Sequence, residues 1–493
     1  MTSEIEGLVD EVMARYAGPE HATLRDVITE LVTMIDGLAA KVAQVEADAK
    51  RHSGNSSKPP SADTLAQRQA QKARREAWTK KGTAKRAKGK QHGAPGAHLA
   101  QVEHPDKLVP HGPEVCSGCG SSLAGAEVVS TETRQVFDLP EPRIVVTAHV
   151  VQRRRCTCGC VTAGVFPPEA NAPAAYGPVI TGVASYLLAH QHLPVARTAD
   201  FLSDVLGCPV STGWVAGLLP RAAELLEEFG QDLRAKLIAS PVIGTDETGT
   251  RISGERFWYH GATTDLLTLI TCHKNRGQIG MRAAGVLPWF KGIAMHDRYA
   301  QYWLFDCTHA ACAAHLIRDL AAVADTPSQQ PWAEAMATLL LSANDDAAAA
   351  RDKGKKALSV KERKRIAKAY DQIVTTAIRA NPDPWLLGRE HRTKAEKDSN
   401  NLAIAFRELK GEILRFTENL QSWFTNNMCE RGFRMVKIRQ KISGCHRTYE
   451  GAEAFCATWS YVSTARKHGA NPLTVLVNLF RGNAWAIPDP VPG

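Results

Sequence analysis

Three carboxylates stand where metal-assisted phosphoryl chemistry could use them. Asp246 comes after the apolar run Pro241-Val242-Ile243-Gly244, and Asp297 follows Gly292-Ile293-Ala294-Met295-His296. Each is therefore expected at the exit of a buried strand, and two such ends can be neighbours in one sheet. Glu430 sits in Asn426-Asn427-Met428-Cys429-Glu430-Arg431, which reads as the start of a helix whose later turns carry Arg434, Lys437 and Lys441. Such a set offers the all-oxygen surroundings that Mg²⁺ prefers, with Mn²⁺ as the alternative. Two ions about 4 Å apart would stabilise the attacking and leaving oxygens of an in-line displacement at phosphorus. Arg431 and Arg434 would then face a phosphate backbone, which guanidinium groups contact bidentately, and Lys437 and Lys441 would extend that contact. Glu247 is expected to point to the opposite face of its strand, as a bystander. On spacing alone these three do not stand out among 51 acidic residues.

Five of the 12 cysteines fall in two tight clusters, Cys116/Cys119 and Cys156/Cys158/Cys160. In a reducing compartment clustered thiols point to metal rather than to disulfides. Cys116-Ser117-Gly118-Cys119-Gly120 is a knuckle half-site, and Zn²⁺ needs four ligands in a tetrahedron. His309, Cys312 and His315 read instead as buried packing and hydrogen-bonding residues rather than a second metal site. His296, beside Asp297, is a candidate phosphate or DNA contact.

The elements that must position these residues follow from periodicity. From Leu24 to Val45 apolar residues repeat in heptads, with Ile28, Ile35 and Val42 on one seam position and Leu24, Leu31, Leu38 and Val45 on the other. β-branched residues at a with leucine at d favour a parallel two-stranded coil, so a homo-oligomer of at least a dimer is expected. An amphipathic helix folded back on its own domain is the alternative. Residues 51–90 carry 12 Lys/Arg against 2 Asp/Glu, more positive charge than the whole chain's +9. Such a stretch is expected to stay extended or only partly helical until it meets a polyanion, nucleic acid first. Alternating and β-branched residues from Val128 to Val151 suggest short strands joining the cysteine clusters in a zinc-ribbon-like module. Leu193 to Leu219 reads as a helix, a break at Gly207–Pro209, and a second helix capped by Ser211, which is helix-turn-helix spacing. Strands are expected at Val242–Thr245, Arg256–Thr263, Leu266–Cys272 and Gly292–Met295, then helices over 311–425 and a last amphipathic helix through Glu453 to Lys467.

The expected organisation is multidomain α+β: a coiled-coil helix over 1–50, a basic linker over 51–110, and a zinc-binding module over 111–165. A helix-turn-helix-like DNA-binding region follows at 175–238, then a catalytic α/β core at 240–325, a helical insertion at 326–420, and a second core part with C-terminal helices at 421–485. The acidic, mixed opening does not resemble a secretory signal, and the longest apolar stretch, Ile180 to Ala189, is too short to span a bilayer. A cytoplasmic, nucleoid-associated protein is expected.

The chain resembles the insertion-sequence-66 family of bacterial transposases. The matching segments are Gly54-Asn55-Ser56-Ser57-Lys58-Pro59-Pro60-Ser61, Gly89-Lys90-Gln91 through Pro95-Gly96, and Thr245-Asp246-Glu247-Thr248. Further along they are Asp297-Arg298-Tyr299 with Tyr302, Cys312-Ala313-Ala314-His315, and Asn426-Asn427 with Glu430-Arg431 and Arg434. The resemblance implies an RNase H-like catalytic domain whose metal-binding triad falls on Asp246, Asp297 and Glu430. It also implies double-stranded DNA, as element ends and target, and small companion proteins of the same element as partners. It places a structural zinc-binding region at the cysteine clusters. Cys158-Gly159 echoes Cys119-Gly120, so Cys116, Cys119, Cys156 and Cys158 are the expected ligands, with Cys160 as the alternative fourth. Two other readings stay open: a zinc-containing DNA-binding regulator without catalysis, and an RNase H-like nuclease that cuts without joining.

Overall fold

The computed structural model describes residues 63–78, 99–388 and 392–489, with Ala14 and His52. The heptad segment lies outside the described residues. The chain divides into two compact units, Met1–Lys81 with Gln231–Met435 and Gly82–Gly230 with Val436–Gly493.

Part of the basic stretch is a helix, α1 (Leu65–Trp78), in line with the partly helical form expected of it. Its alanines, glutamines and arginines are good helix formers. Thr64 and Gln67 cap it reciprocally, the Gln67 backbone N–H donating to Thr64 Oγ1 at 3.2 Å and the Thr64 N–H to Gln67 Oε1 at 3.0 Å. Arg74 is already occupied by the protein, bonded to the Ala321 carbonyl and to Asp325 at 2.6 Å.

The cysteine module holds only two short strands, β1 (Arg153–Arg155) and β2 (Val161–Ala163), paired antiparallel around Cys156–Cys160. The strands expected between Val128 and Val151 do not form, and Val129 and Val136 are more than 90% exposed. A strand needs a partner and a covered face, and a module this small has neither to give them.

Helices α2 (Pro178–Ala189) and α3 (Val195–Leu206) follow; α3 ends at Gly207, whose φ of 60° takes the left-handed position a helix stop requires. Ser211 caps the next helix by accepting from the Trp214 N–H at 3.1 Å. That helix, α4 (Thr212–Ala216), is a single turn, and α5 (Leu218–Leu225) restarts after Gly217. Pro220 cannot donate to the Ala216 carbonyl, which is why the helix expected to run through Leu219 breaks. Helix α6 (Glu227–Ile238) leads out of this region.

A five-stranded mixed sheet is built from β3 (Val242–Ile252), β4 (Glu255–Thr263), β5 (Thr268–His273), β6 (Ile293–His296) and β7 (Thr308–Ala311), with α7 (Gln278–Ala283) between β5 and β6. Its order is β5-β4-β3-β6-β7; the first three strands are antiparallel neighbours, and β6 and β7 run parallel to β3. Ser253 and Gly254, both at positive φ (48° and 85°), make the two-residue turn that joins β3 to β4. That turn fixes the register, pairing Asp246 with Gly261 and Glu247 with His260.

Helices α8 (Ala313–Val323), α9 (Gln330–Arg351), α10 (Val360–Arg379), α11 (Lys394–Glu408) and α12 (Lys410–Glu418) share a core around Trp332, Met336, Leu340, Tyr370 and Phe406. Then come α13 (Asn427–Ser443), α14 (Tyr449–Lys467) and α15 (Pro472–Phe480). In the second unit α15 crosses α2 at Gly182, where any Cβ would fall 2.5 Å from Val477. No helix among the described residues is long and apolar enough to cross a membrane.

Candidate active site and zinc module

Asp246 is the fifth residue of the eleven-residue β3, not its exit. The strand continues beyond it because β4 pairs with it to Ile252. Asp297 does follow the end of β6 directly. Gly244 pairs with Met295 in the parallel register, so Asp246 and Asp297 each come two residues after a paired position. Glu430 lies in the first turn of α13. The three carboxylates share one electrostatic neighbourhood. Burial, then the charges of Glu247, Asp297 and Glu430, push the Asp246 carboxyl well above the usual range, against one stabilising bond from the Glu247 N–H at 2.9 Å. Asp297 accepts from the Tyr299 N–H at 2.9 Å.

Two glycines and one asparagine set the first turn of α13 on the sheet. Asn426 is buried; its Nδ2 donates to the Thr245 carbonyl at 2.8 Å and its backbone N–H to Cys312 Sγ at 3.2 Å. A Cβ at Gly244 would lie 2.2 Å from Asn426 Oδ1, and one at Gly261 would lie 2.7 Å from the Phe433 ring. Both glycines, and Asp246, which is two residues after Gly244 and opposite Gly261, therefore face α13. Residues Cys429, Phe433 and Val436 are buried, while Arg431 and Arg434 are exposed. Further along the helix Lys441 is exposed and Lys437 is half-buried, its amine held below the usual range by that burial.

The opposite face of β3 is not idle. The Glu247 side chain is 1% exposed, takes Arg276 Nη2 at 2.8 Å on one oxygen and accepts from Tyr302 Oη on the other. Arg276 is itself stacked over Tyr299 at 4.2 Å and Trp258 at 5.0 Å. Glu247 is thus an anchored residue rather than a bystander. Burial raises its carboxyl above the usual range in spite of these donors. Composition alone offers no signal for the partnership, since Arg276 and Tyr302 are 29 and 55 residues away in sequence.

His296 is fully buried and does not reach solvent, so it is no DNA contact. Its Nε2 meets His309 Nδ1 at 3.0 Å, its ring stacks on Tyr302, and burial lowers its pKa to about 4. His309 is likewise a hydrogen-bonding residue, bonded also to the Phe305 carbonyl at 3.1 Å. Cys312 is buried and accepts from the Asn426 N–H, as expected of it, and His315 is half-buried. Their ligand atoms and one oxygen of Glu430 lie within 4.8 Å of one another.

In the cysteine module Cys116 and Cys119 form a turn closed by the Gly120 N–H on the Cys116 carbonyl at 2.9 Å, with Gly120 at φ 72°. Hydrogen bonds from Ser121 and Cys116 lower the Cys119 thiol to about 7, towards the thiolate that zinc binds. The second turn is closed by the Cys156 N–H on Cys160 O and the Gly159 N–H on Cys156 O, with Gly159 at φ 90°. Cys158 lowers the Cys156 thiol, chiefly through its backbone N–H. Cysteines adjoin within each turn; among the described residues no three of their sulfurs come within metal-sharing distance.

Residues 174–454, more than half of the chain, match the Transposase IS66 family. The chain belongs to that family. Residues 113–159 match the zinc-finger binding domain of transposase IS66, a span that contains Cys116, Cys119, Cys156 and Cys158 and stops before Cys160. Residues 4–100 match a family of unknown function. No curated protein matches the chain.

Proposed function

We propose that this IS66-family transposase cuts and joins DNA with an Asp-Asp-Glu triad, Asp246, Asp297 and Glu430. The observation that supports this is their placement: Asp246 inside β3, Asp297 directly after the parallel strand β6, and Glu430 in the first turn of the helix that Asn426 ties to β3, with the charges of Asp297 and Glu430 both raising the Asp246 carboxyl. The strand order β5-β4-β3-β6-β7, antiparallel on one side of β3 and parallel on the other, supports an RNase H-like reading of the sheet.

The residues fit a pair of Mg²⁺ or Mn²⁺ ions. All donors are carboxylate oxygens, one of them, Glu430 Oε1, is buried without a hydrogen-bond partner, and mutual repulsion among the acids calls for compensating positive charge. Divalent ions bound there would supply charge stabilisation for the phosphoryl transition state and make a water or a 3′-hydroxyl more acidic. The chain's own part is orientation. Asn426 pins α13 to β3, the Tyr299 N–H fixes Asp297, and Arg431 and Arg434, exposed on the same helix, would hold DNA phosphates. Lys437 and Lys441 further along α13, with the basic stretch 51–90, extend backbone contact. A structural Zn²⁺ would be held by Cys116, Cys119, Cys156 and Cys158 once the two turns, whose sulfurs stand apart here, close on one ion.

Replacing Asp246 or Asp297 by Asn, or Glu430 by Gln, keeps shape and removes charge. Each change alone is expected to abolish Mg²⁺-dependent cleavage and strand transfer of element-end DNA, with DNA binding retained. The losses should not add, because residues acting as a unit fail together. Glu430→Gln that still cleaves while Asp246→Asn does not would remove Glu430 from the triad. Cleavage without joining would mark a nuclease, and neither activity a regulator.

A further inference from the structure

We propose that Cys312, His315 and Glu430 form a second metal site, one that takes a zinc-class ion and, when filled, withdraws Glu430 from the acidic triad. The inference rests on the reading of Glu430 as the third acid, but the site itself is defined by geometry alone. Cys312 stands between the end of β7 and the first turn of α8, as the N-cap. The N–H groups of Ala314 and His315 point at its sulfur, and that of Asn426 donates to it at 3.2 Å, so the sulfur is held still; burial outweighs these donors and raises the thiol above its usual range, so the charge that makes it a thiolate has to come from a bound cation. His315, three residues on, lies on the same side of the helix and brings its ring beside that sulfur. Glu430 arrives from α13, which Asn426 fixes to β3.

The Cys312 sulfur, one His315 ring nitrogen and one Glu430 oxygen all lie within 4.8 Å of one another, with 4.0 Å between His315 Nδ1 and Glu430 Oε1. Donor atoms around a tetrahedral zinc ion sit about 3.5 Å apart, so side-chain adjustments of under about 1 Å would close the set. Two of the three donors, His315 Nδ1 and Glu430 Oε1, are buried and have no hydrogen-bond partner, which is costly unless something else meets them. The donor set decides the ion. Thiolate and imidazole select Zn²⁺ or Co²⁺ over Mg²⁺, which takes oxygen. Three protein ligands leave a fourth position for water. The same glutamate cannot serve both centres in the same way, so zinc occupancy and Mg²⁺-supported cleavage should oppose each other.

Full-length protein should bind one more equivalent of Zn²⁺ than its Cys312→Ser or His315→Gln variants, the cysteine module being loaded in all. Co²⁺ loading should give a thiolate-to-cobalt absorption band that Cys312→Ser diminishes by the share of one site. His315→Gln keeps the thiol and guards against misfolding of the serine variant; circular dichroism identifies either case. Asp246→Asn should keep the additional equivalent, because it touches only the oxygen cluster, whereas Glu430→Gln should weaken it. Equal zinc content and equal cobalt spectra in folded wild-type and His315→Gln protein would overturn the site. Glu430→Gln that loses the additional zinc yet still cleaves would leave the site standing and sink the triad instead.

Discussion

At the scale of single residues, Glu247 shows how neighbouring side chains of one strand divide the work. Alternation sends Asp246 towards α13 and Glu247 to the other face. There the Glu247 carboxylate is buried, and only Arg276 and Tyr302 offset the loss of its hydration. Arg276 is 42% exposed on its side chain, so water screens its half of the pair and the coupling is weaker than in a fully buried one. Glu247→Ala should therefore lower stability by about 1–3 kcal/mol, less than the loss of a wholly buried pair. Glu247→Gln, which can still accept from Tyr302 and Arg276, should cost less. Thermal melts of both variants decide this; an unshifted midpoint in Glu247→Ala would show that Arg276 and Tyr302 contribute nothing there. Because Glu247 also borders Asp297 electrostatically, cleavage should fall in parallel with the melt rather than vanish as expected of the triad variants.

At the scale of elements, the site depends on how closely α13 lies on the sheet. The positive-φ pair Ser253 and Gly254 sets the hairpin register, the register puts Gly261 opposite Asp246, and Gly261 leaves the space that Phe433 fills. Gly244 does the same for Asn426. Gly244→Ala would put a methyl into Asn426 Oδ1, and the Asn426 bonds to Thr245 and Cys312 would have to shift with it. We expect this variant to fold with a lowered melting temperature and to lose at least about tenfold in cleavage, since an offset of about 1 Å in a positioned group costs about a hundredfold. Wild-type activity in folded Gly244→Ala would mean that α13 is free to adjust. This layer was only partly readable beforehand. Four of the five strands announce themselves as apolar or β-branched runs, and Asp297 follows its run as expected. β7, Thr308-His309-Ala310-Ala311, does not, because its residues are small or polar and its place is set by pairing with β6. The position of Asp246 inside β3 was hidden for a related reason: the second half of the strand, polar and glycine-containing, is held by β4 rather than by its own pattern.

At the scale of the whole chain, the segments differ in what keeps them folded. The sheet and the helices α8–α12 have buried cores of their own, one around Trp332, Tyr370 and Phe406 and one around Val242, Ile293 and Met295. The cysteine module has two strands of three residues, valines open to solvent, and half-sites held by turn hydrogen bonds. A segment with so little apolar burial cannot offset the entropy of ordering its chain, so the energy must come from the metal. Removing zinc with a chelator, or changing Cys116 and Cys119 to Ser, should therefore open residues 113–163 to proteases. The urea midpoint of the unit that contains the sheet should stay unchanged. Cys160→Ser should leave the module protected and Cys158→Ser should not, if the Cys158-Gly159 turn repeats the role of Cys119-Gly120. Protein purified without zinc yet protected across these residues would mean that the module folds by its own contacts. Loss of protection in the sheet on chelation would mean that zinc supports more of the chain than its own half-sites.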